Sequence, residues 1–390
     1  MKKFKVKLYN NISEVGLARL DPERFETGTA VAEPDAILLR SADITTSDFP
    51  DSLLCIGRAG IGVNNIPVDR CSEDGIVVFN TPGANANAVK ELGLAALLLS
   101  SRHLVDAVNW ASSLKDEGDA APALIEKGKS RFVGQELKGK TLGIIGLGAI
   151  GAMLADIAVR LEMDVLGQDP YMTVQAAWRI NRNVQRVADR SEIYTNCDYI
   201  SLHVPLNDET KHMINAESLA KMKDGVRIIN LSRAALVDDD AMADALKSGK
   251  VACYVTDFPN AKTLSMPNTI CIPHLGASTP ESEDNCAVMA ADAISDYLCN
   301  GNIHNSVNLP DIHLPREAKY RLCAIHRNIP NMVGAISTAL ARTGLNIEHM
   351  INKSKKNYAC TLVETNDDIT KETLDSLRKV DGILRIRVIE

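Results

Sequence analysis

Thr141-Leu-Gly-Ile-Ile-Gly146-Leu-Gly148-Ala-Ile-Gly151 decides the architecture of this chain. The apolar run up to Gly146 is too short for a helix and reads as a buried strand. Gly146, Gly148 and Gly151 form G-x-G-x-x-G, and helical residues from Ala152 to Leu161 follow. A second strand, Asp164–Gly167, then leads to Asp169, which lies 18 residues beyond Gly151. That spacing agrees with the ~20 residues between the glycine turn and the ribose-binding acid of a dinucleotide site. Gly146 permits the tight turn, Gly148 lets the backbone approach a pyrophosphate, and Gly151 allows helix and strand to pack closely. The helix start offers N–H groups and partial positive charge to the phosphates. Asp169 would bind the ribose hydroxyls and repel a 2′-phosphate, so NAD rather than NADP is the expected cofactor.

Outward from this segment, short apolar strands alternate with helical stretches. Lys5–Leu8, Ala36–Leu39, Leu53–Ile56 and Val77–Asn80 precede it, with helical or loop segments Ile12–Leu20 and Val68–Asp74 between them. A long helical pattern begins near Asn87, and Asp116–Gly139, rich in Gly, Ala and charge, reads as a connection. Tyr199–Val204, Val226–Leu231, Tyr254–Asp257 and Thr269–Ile272 continue the alternation, which predicts an α/β fold around parallel sheets. A helix from about Pro280 to Leu298 ends at Asn300-Gly301, a helix-stop signal.

Composition narrows the function. The 390 residues fit two or three domains, and 45% hydrophobic with 24% charged residues is ordinary globular usage. A net charge of −7 without a basic run argues against a nucleic-acid partner. The apolar stretch Leu92–Leu99 is far short of the ~20 residues that cross a bilayer. The basic start Met1–Lys7 lacks the apolar core of a secretory signal. Nine cysteines without a C-x-x-C pair read as free thiols in a reducing compartment, so a cytoplasmic protein without metal or membrane is expected.

Two residues suit hydroxy-acid chemistry beside such a cofactor. Arg233 follows the strand Val226–Leu231, at the carboxyl end where open α/β sheets bind ligands. Its permanently charged guanidinium can grip a carboxylate in bidentate fashion. His274, just past the strand Thr269–Ile272, can accept and return a proton near neutrality.

Asn230-Leu-Ser-Arg233-Ala-Ala-Leu-Val-Asp238, Pro273-His274-Leu-Gly-Ala-Ser-Thr279 and the glycine fingerprint resemble the D-2-hydroxyacid dehydrogenases. Ile56-Gly-Arg58-Ala-Gly60-Ile61-Gly62-Val-Asn-Asn65 and Asn80-Thr81-Pro82-Gly83 extend the resemblance. It implies a Rossmann-type NAD domain, residues 93–280, inserted in a flavodoxin-like substrate domain made of residues 1–92 and 281–308. Arg233 would anchor the substrate carboxylate and His274 would be the acid–base. Ala149 and Ile150 would cover the pyrophosphate, and Leu231, Ser232 and Asp257 would line the nicotinamide. Thr81, Val204, Pro205, Gly276 and Ala277 would complete the cofactor site. The amides of Gly60, Ile61 and Gly62 would meet the carboxylate, and Arg58, or alternatively Arg40, a substrate phosphate. One departure stands out: the glutamate that usually pairs with the catalytic histidine is missing, with none between Val251 and His274. Asp257 could take its place, or could serve the nicotinamide amide and leave His274 unpaired.

After a proline-bearing linker, 309–318, residues 319–390 follow a βαββαβ order of ferredoxin-like type. This tail resembles an ACT regulatory domain, in which His326, Asn328 and Asn346 fall on positions that hold an L-serine effector between two subunits, implying a homodimer or homotetramer. Asn331 replaces the glycine usual there. With Arg58, the tail points to oxidation of 3-phospho-D-glycerate. Reduction of hydroxypyruvate or glyoxylate, and a non-catalytic NAD(H)-sensing corepressor, are the alternatives.

Overall fold

A computed structural model describes residues 3–390 of the chain. Chain contacts divide it into two compact units, Met1–Asn85 with Pro280–Glu390, and Ala86–Thr279.

The first unit opens with five parallel strands: β1 (Phe4–Leu8), β2 (Phe25–Gly28), β3 (Ala36–Leu39), β4 (Cys55–Arg58) and β5 (Val77–Phe79). Their order is β2-β1-β3-β4-β5, the flavodoxin-like arrangement. All four residues of β3 are buried, as expected of a strand covered on both faces. The helix Pro280–Asn300 lies against this sheet. A Cβ on Gly57 would sit 2.6 Å from Ile294 Cδ1, so a glycine is what lets the helix approach β4.

The second unit holds seven parallel strands: β6 (Thr141–Ile145), β7 (Asp164–Gln168), β8 (Val184–Arg186), β9 (Tyr199–Leu202), β10 (Val226–Asn230), β11 (Val251–Thr256) and β12 (Thr269–Cys271). They run β12-β11-β10-β9-β6-β7-β8, so the winding reverses between β6 and β9. That reversal opens a crevice at the carboxyl ends of the two strands. Both faces are apolar. Leu142, Ile144, Ile229 and Val255 pack on one side, with Leu97 and Leu154 of the helices Ala86–Arg102 and Ala149–Arg160. Ile145, Ile200, Leu202 and Ile228 pack on the other. The expected connection 116–139 carries a short helix, Ala121–Gly128, which buries none of its residues.

The tail folds as β13 (Tyr320–Arg327), β14 (His349–Lys355), β15 (Tyr358–Thr365) and β16 (Ile383–Ile389), antiparallel in the order β14-β15-β13-β16. Helices Met332–Arg342 and Lys371–Arg378 complete the ferredoxin-like topology. Leu322, Ala324 and Val363 face those helices. Cys323, Ile325, Cys360 and Leu362 face the other way and share a core with Tyr297 and Leu298 of the helix Pro280–Asn300. Arg387 donates to the carbonyls of Tyr297 and Leu298, and Arg321 to that of Asn300 at 2.7 Å. No described helix is long and apolar enough to cross a membrane.

Candidate active site

β6 delivers the chain to Gly146, whose φ of +95° is left-handed. A Cβ there would lie 2.5 Å from the carbonyl oxygen of His203, so the turn at the strand reversal demands glycine. At Gly151 a Cβ would lie 2.0 Å from the Gly146 carbonyl oxygen, which fixes that glycine by packing. Gly148 differs: nothing stands within 4 Å of the position a Cβ would take. It is the N-cap of the helix Ala149–Arg160 and has no side chain to cap the first N–H groups. The helix therefore begins at Ala149, three residues before the sequence pattern placed it, so Ala149 and Ile150 lie in its uncapped first turn. Asp169 is held beside the turn, its Oδ2 accepting from Leu147 N at 3.0 Å and its Oδ1 from Tyr171 N at 2.9 Å. An uncapped helix start, an open glycine and a fixed carboxylate fit a dinucleotide. Val204 borders the turn, its Cγ1 standing 2.9 Å from the Cβ position of Gly146, and Pro205 follows it on the exposed side.

Sequence reasoning missed His203. Its Nε2 shares a hydrogen bond of 2.8 Å with Ser201 Oγ, and its Nδ1 is enclosed without a partner. Burial pushes this imidazole down to about 4, so it is neutral at physiological pH.

Two strands away, buried Asn230 shapes the loop after β10. Its Oδ1 accepts from the amides of Ser232 and Arg233 at 3.2 and 3.3 Å, and its Nδ2 donates to the Arg233 carbonyl at 2.9 Å. Ser232 Oγ donates to the Leu202 carbonyl at 2.6 Å, and Leu231 is buried. The Arg233 guanidinium stands 5.8 Å from the centre of the Phe258 ring, and that ring lies 4.5 Å from the His274 imidazole. The structure thus brings Arg233 and His274 to one aromatic ring. Phe258 went unremarked in the sequence because a single aromatic after a strand carries no periodic signal.

Asp257 lies directly before that ring and is buried, with Oδ1 lacking any partner. Gly276 donates its N–H to this carboxylate, and a Cβ on Gly276 would stand 3.1 Å from Oδ2. Burial raises the Asp257 carboxyl above its ordinary value, outweighing the nearby His274, the hydrogen bond from the Gly276 amide and the Arg233 charge, which pull it back. Ala277, next in the chain, is half-buried.

In the first unit, Gly60 has φ +145°, and a Cβ on it would occupy the place of the Arg58 guanidinium. The Thr81 amide donates to the Gly60 carbonyl at 3.0 Å, and Asn80 Nδ2 to the Ile61 carbonyl at 2.9 Å. Residues 80–81 therefore hold the loop Gly60-Ile61-Gly62 by its carbonyls. The expectation for Gly60 needs correction, because its own N–H donates to the Arg58 carbonyl at 2.9 Å. Arg40 is engaged by Glu283 at 2.7 Å.

Among the effector candidates, His326 is fully buried in β13. Its Nδ1 bonds the Arg327 carbonyl at 2.8 Å and its Nε2 bonds Thr361 Oγ1 at 2.9 Å. Both ring nitrogens are thereby committed to the sheet. Asn328 donates to the Lys356 carbonyl at 3.0 Å and Asn346 to Glu348 Oε1 at 3.0 Å, each in an exposed loop.

Residues 94–276 match the model of the D-isomer specific 2-hydroxyacid dehydrogenase NAD-binding domain. D-3-phosphoglycerate dehydrogenase of Haemophilus influenzae is 33% identical over 93% of this chain and 88% of its own length. Hydroxypyruvate reductase of Thermotoga maritima is 37% identical over 75% of this chain and 94% of its own. Of a Synechocystis D-3-phosphoglycerate dehydrogenase, 36% identical, the chain spans half the length. The crystal structure of NAD+-bound 3-phosphoglycerate dehydrogenase from Entamoeba histolytica superposes with a TM-score of 0.62 at 26% identity, covering 79% of this chain and 99% of that one.

Proposed function

The chain belongs to the D-isomer-specific 2-hydroxyacid dehydrogenase family, and from that premise we propose that it oxidises 3-phospho-D-glycerate to 3-phosphohydroxypyruvate, the first step of L-serine synthesis. The observation that carries this reading is the approach of both Arg233 and His274 to the Phe258 ring, at the carboxyl edge of the sheet that bears the glycine turn. The amides of Ala149 and Ile150 and the Asp169 carboxylate would hold NAD, which when bound would supply the hydride acceptor. Arg233 orients the carboxylate so that the C2 hydrogen is presented in near-attack geometry. His274 takes the C2 hydroxyl proton in the same step.

A turnover assay with 3-phosphoglycerate, D-glycerate and D-lactate, each with NAD, tests this directly. Preferred turnover of 3-phosphoglycerate supports the reading. Preference for hydroxypyruvate or glyoxylate in the reverse direction favours the reductase activity that the Thermotoga relative's name carries. Tight NADH binding without turnover favours a sensor.

The ferredoxin-like tail acts in this reading as a serine-binding ACT domain of a homodimer or homotetramer, with Asn328 and Asn346 as ligands. His326 contributes by fixing β13 rather than by touching the effector. Calorimetry that detects no serine binding leaves the tail as an assembly module. Nine free thiols fit a reducing, cytoplasmic setting.

A further inference from the structure

We propose that Asp296, His304 and His313 bind one divalent cation of the zinc type, at the junction between the helix Pro280–Asn300 and the segment that leads into β13. Ile303 and Ile312 exchange both backbone hydrogen bonds, at 2.9 and 3.0 Å, in an antiparallel bridge. In that register residues 304 and 313 are diagonal neighbours on one face. Their imidazole rings accordingly stand 5.4 Å apart, centre to centre. Asp296, in the last two turns of the helix, brings its Oδ2 to 3.6 Å from His304 Nε2. One ligand atom from each of the three side chains falls within 4.8 Å of the others.

The carboxylate is oriented by a second set of contacts. Asp296 Oδ1 accepts from Asn300 Nδ2 at 2.7 Å and from Asn302 Nδ2 at 3.1 Å, so it is the other oxygen that faces the histidines. Asn302 is itself buried, its Oδ1 accepting from Leu314 N at 3.1 Å. Fixing a carboxylate through its non-ligating oxygen is how metal sites prepare their ligands. A simple His304–Asp296 ion pair would need neither the two amides nor the second imidazole.

Two imidazoles and one carboxylate form a borderline-soft set suited to zinc, cobalt or nickel rather than calcium or magnesium. Tetrahedral zinc holds its N and O ligand atoms about 3.3 Å apart. The His304–Asp296 distance of 3.6 Å is already near that value, and exposed His313 closes by side-chain rotation. Water would fill the fourth position. None of the three residues belongs to the dehydrogenase site, so the metal would staple this junction without entering the reaction.

The test uses the full-length chain stripped of metal and titrated with Co²⁺. One equivalent should bind, with a visible d–d band of nitrogen and oxygen ligation and no thiolate-to-cobalt charge transfer. That last feature separates the site from the nine cysteines, eight of them buried. Zn²⁺ should displace the cobalt and raise Tm with its free concentration. The double variant His304→Ala with His313→Ala should bind at least 100-fold more weakly, and Asn302→Ala about 10-fold more weakly, with 2-hydroxyacid oxidation unchanged in both. Should the double variant fail to fold, His313→Ala alone serves. Binding that survives these histidine substitutions, a charge-transfer band, or no saturable binding below about 100 μM would overturn the proposal.

Discussion

In the C-terminal sheet, Arg321 and Glu364 are completely enclosed and 2.5 Å apart, and the remaining Arg321 donors reach the carbonyls of Asn300 and Pro315. His326 in the same sheet has both ring nitrogens bonded. At the carboxyl edge of β6–β12 the pattern reverses: Asp257 keeps a buried oxygen and His203 a buried nitrogen without partners. Burying a polar group without a hydrogen bond costs about 1–3 kcal/mol, so such groups persist where something other than stability retains them. Apart from Arg387 Nε, which is also buried without a partner, these polar side chains of the tail are spent on architecture, whereas the nucleotide-binding sheet leaves some for a ligand to complete.

That contrast breaks most sharply at His274. His274→Ala should lower kcat/KM for hydroxy-acid oxidation by about 10⁴-fold, while the urea midpoint stays at the wild-type value. A comparable loss of stability would make His274 a structural residue. In the tail the expectation inverts. Glu364→Gln leaves the Arg321 charge buried and incompletely paired and should destabilise the protein by about 3 kcal/mol. KM for NAD, measured below the transition, should not move.

His203 yields a smaller effect with a definite sign. Its folded value near 4 lies below its ordinary value, so the unfolded chain binds the extra proton as pH falls through the interval between them. The stability associated with neutral His203 is thus present above about 6.5 and lost toward 4. Denaturant melts at pH 7.5 and 5.0 should show about 2 kcal/mol of this loss, absent in His203→Gln. Equal slopes in the two proteins would contradict the burial argument.

Two substitutions sharpen the cofactor side. Asp169→Ala should shift the NAD over NADP ratio of kcat/KM by about 10-fold toward NADP, and an unchanged ratio would remove Asp169 from the ribose. Asp257→Asn should raise KM for NAD a few-fold and leave the acid limb of the kcat/KM profile in place. Movement of that limb to lower pH, with NAD binding intact, would instead make Asp257 the partner of His274.

The glycine turn was legible because each glycine answers a local demand that the residues themselves state. Arg233 and His274 were legible because they follow recognisable strands. Strand β2 was not: in Phe25-Glu-Thr-Gly28 only Phe25 is buried, and the strand pairs on one side alone, so no pattern marks it. The strand read at Leu53–Ile56 runs instead over Cys55–Arg58, because the polar end of β4 lies in the ladder opposite Leu39. The buried pair Arg321–Glu364 was equally hidden, since charged residues read as surface until both partners are seen together. Phe258 gains its meaning only from Arg233 and His274, distant in sequence, and His203 from its burial beside the glycine turn.

The chain order of the first unit bears on how the protein is made. Its opening sheet leaves the ribosome long before the helix Pro280–Asn300 that covers it, and the whole of Ala86–Thr279 is synthesised in between. The carbonyls of Tyr297 and Leu298 then wait for Arg387, 89 residues beyond Leu298, to supply their hydrogen bonds. Nascent chains should therefore complete the nucleotide-binding unit first, while the flanking segments stay in need of protection until β16 has emerged. A premature stop before β16 would leave that helix end uncapped and part of its apolar face bare, and quality control would meet the product as an unfinished protein rather than a shorter enzyme.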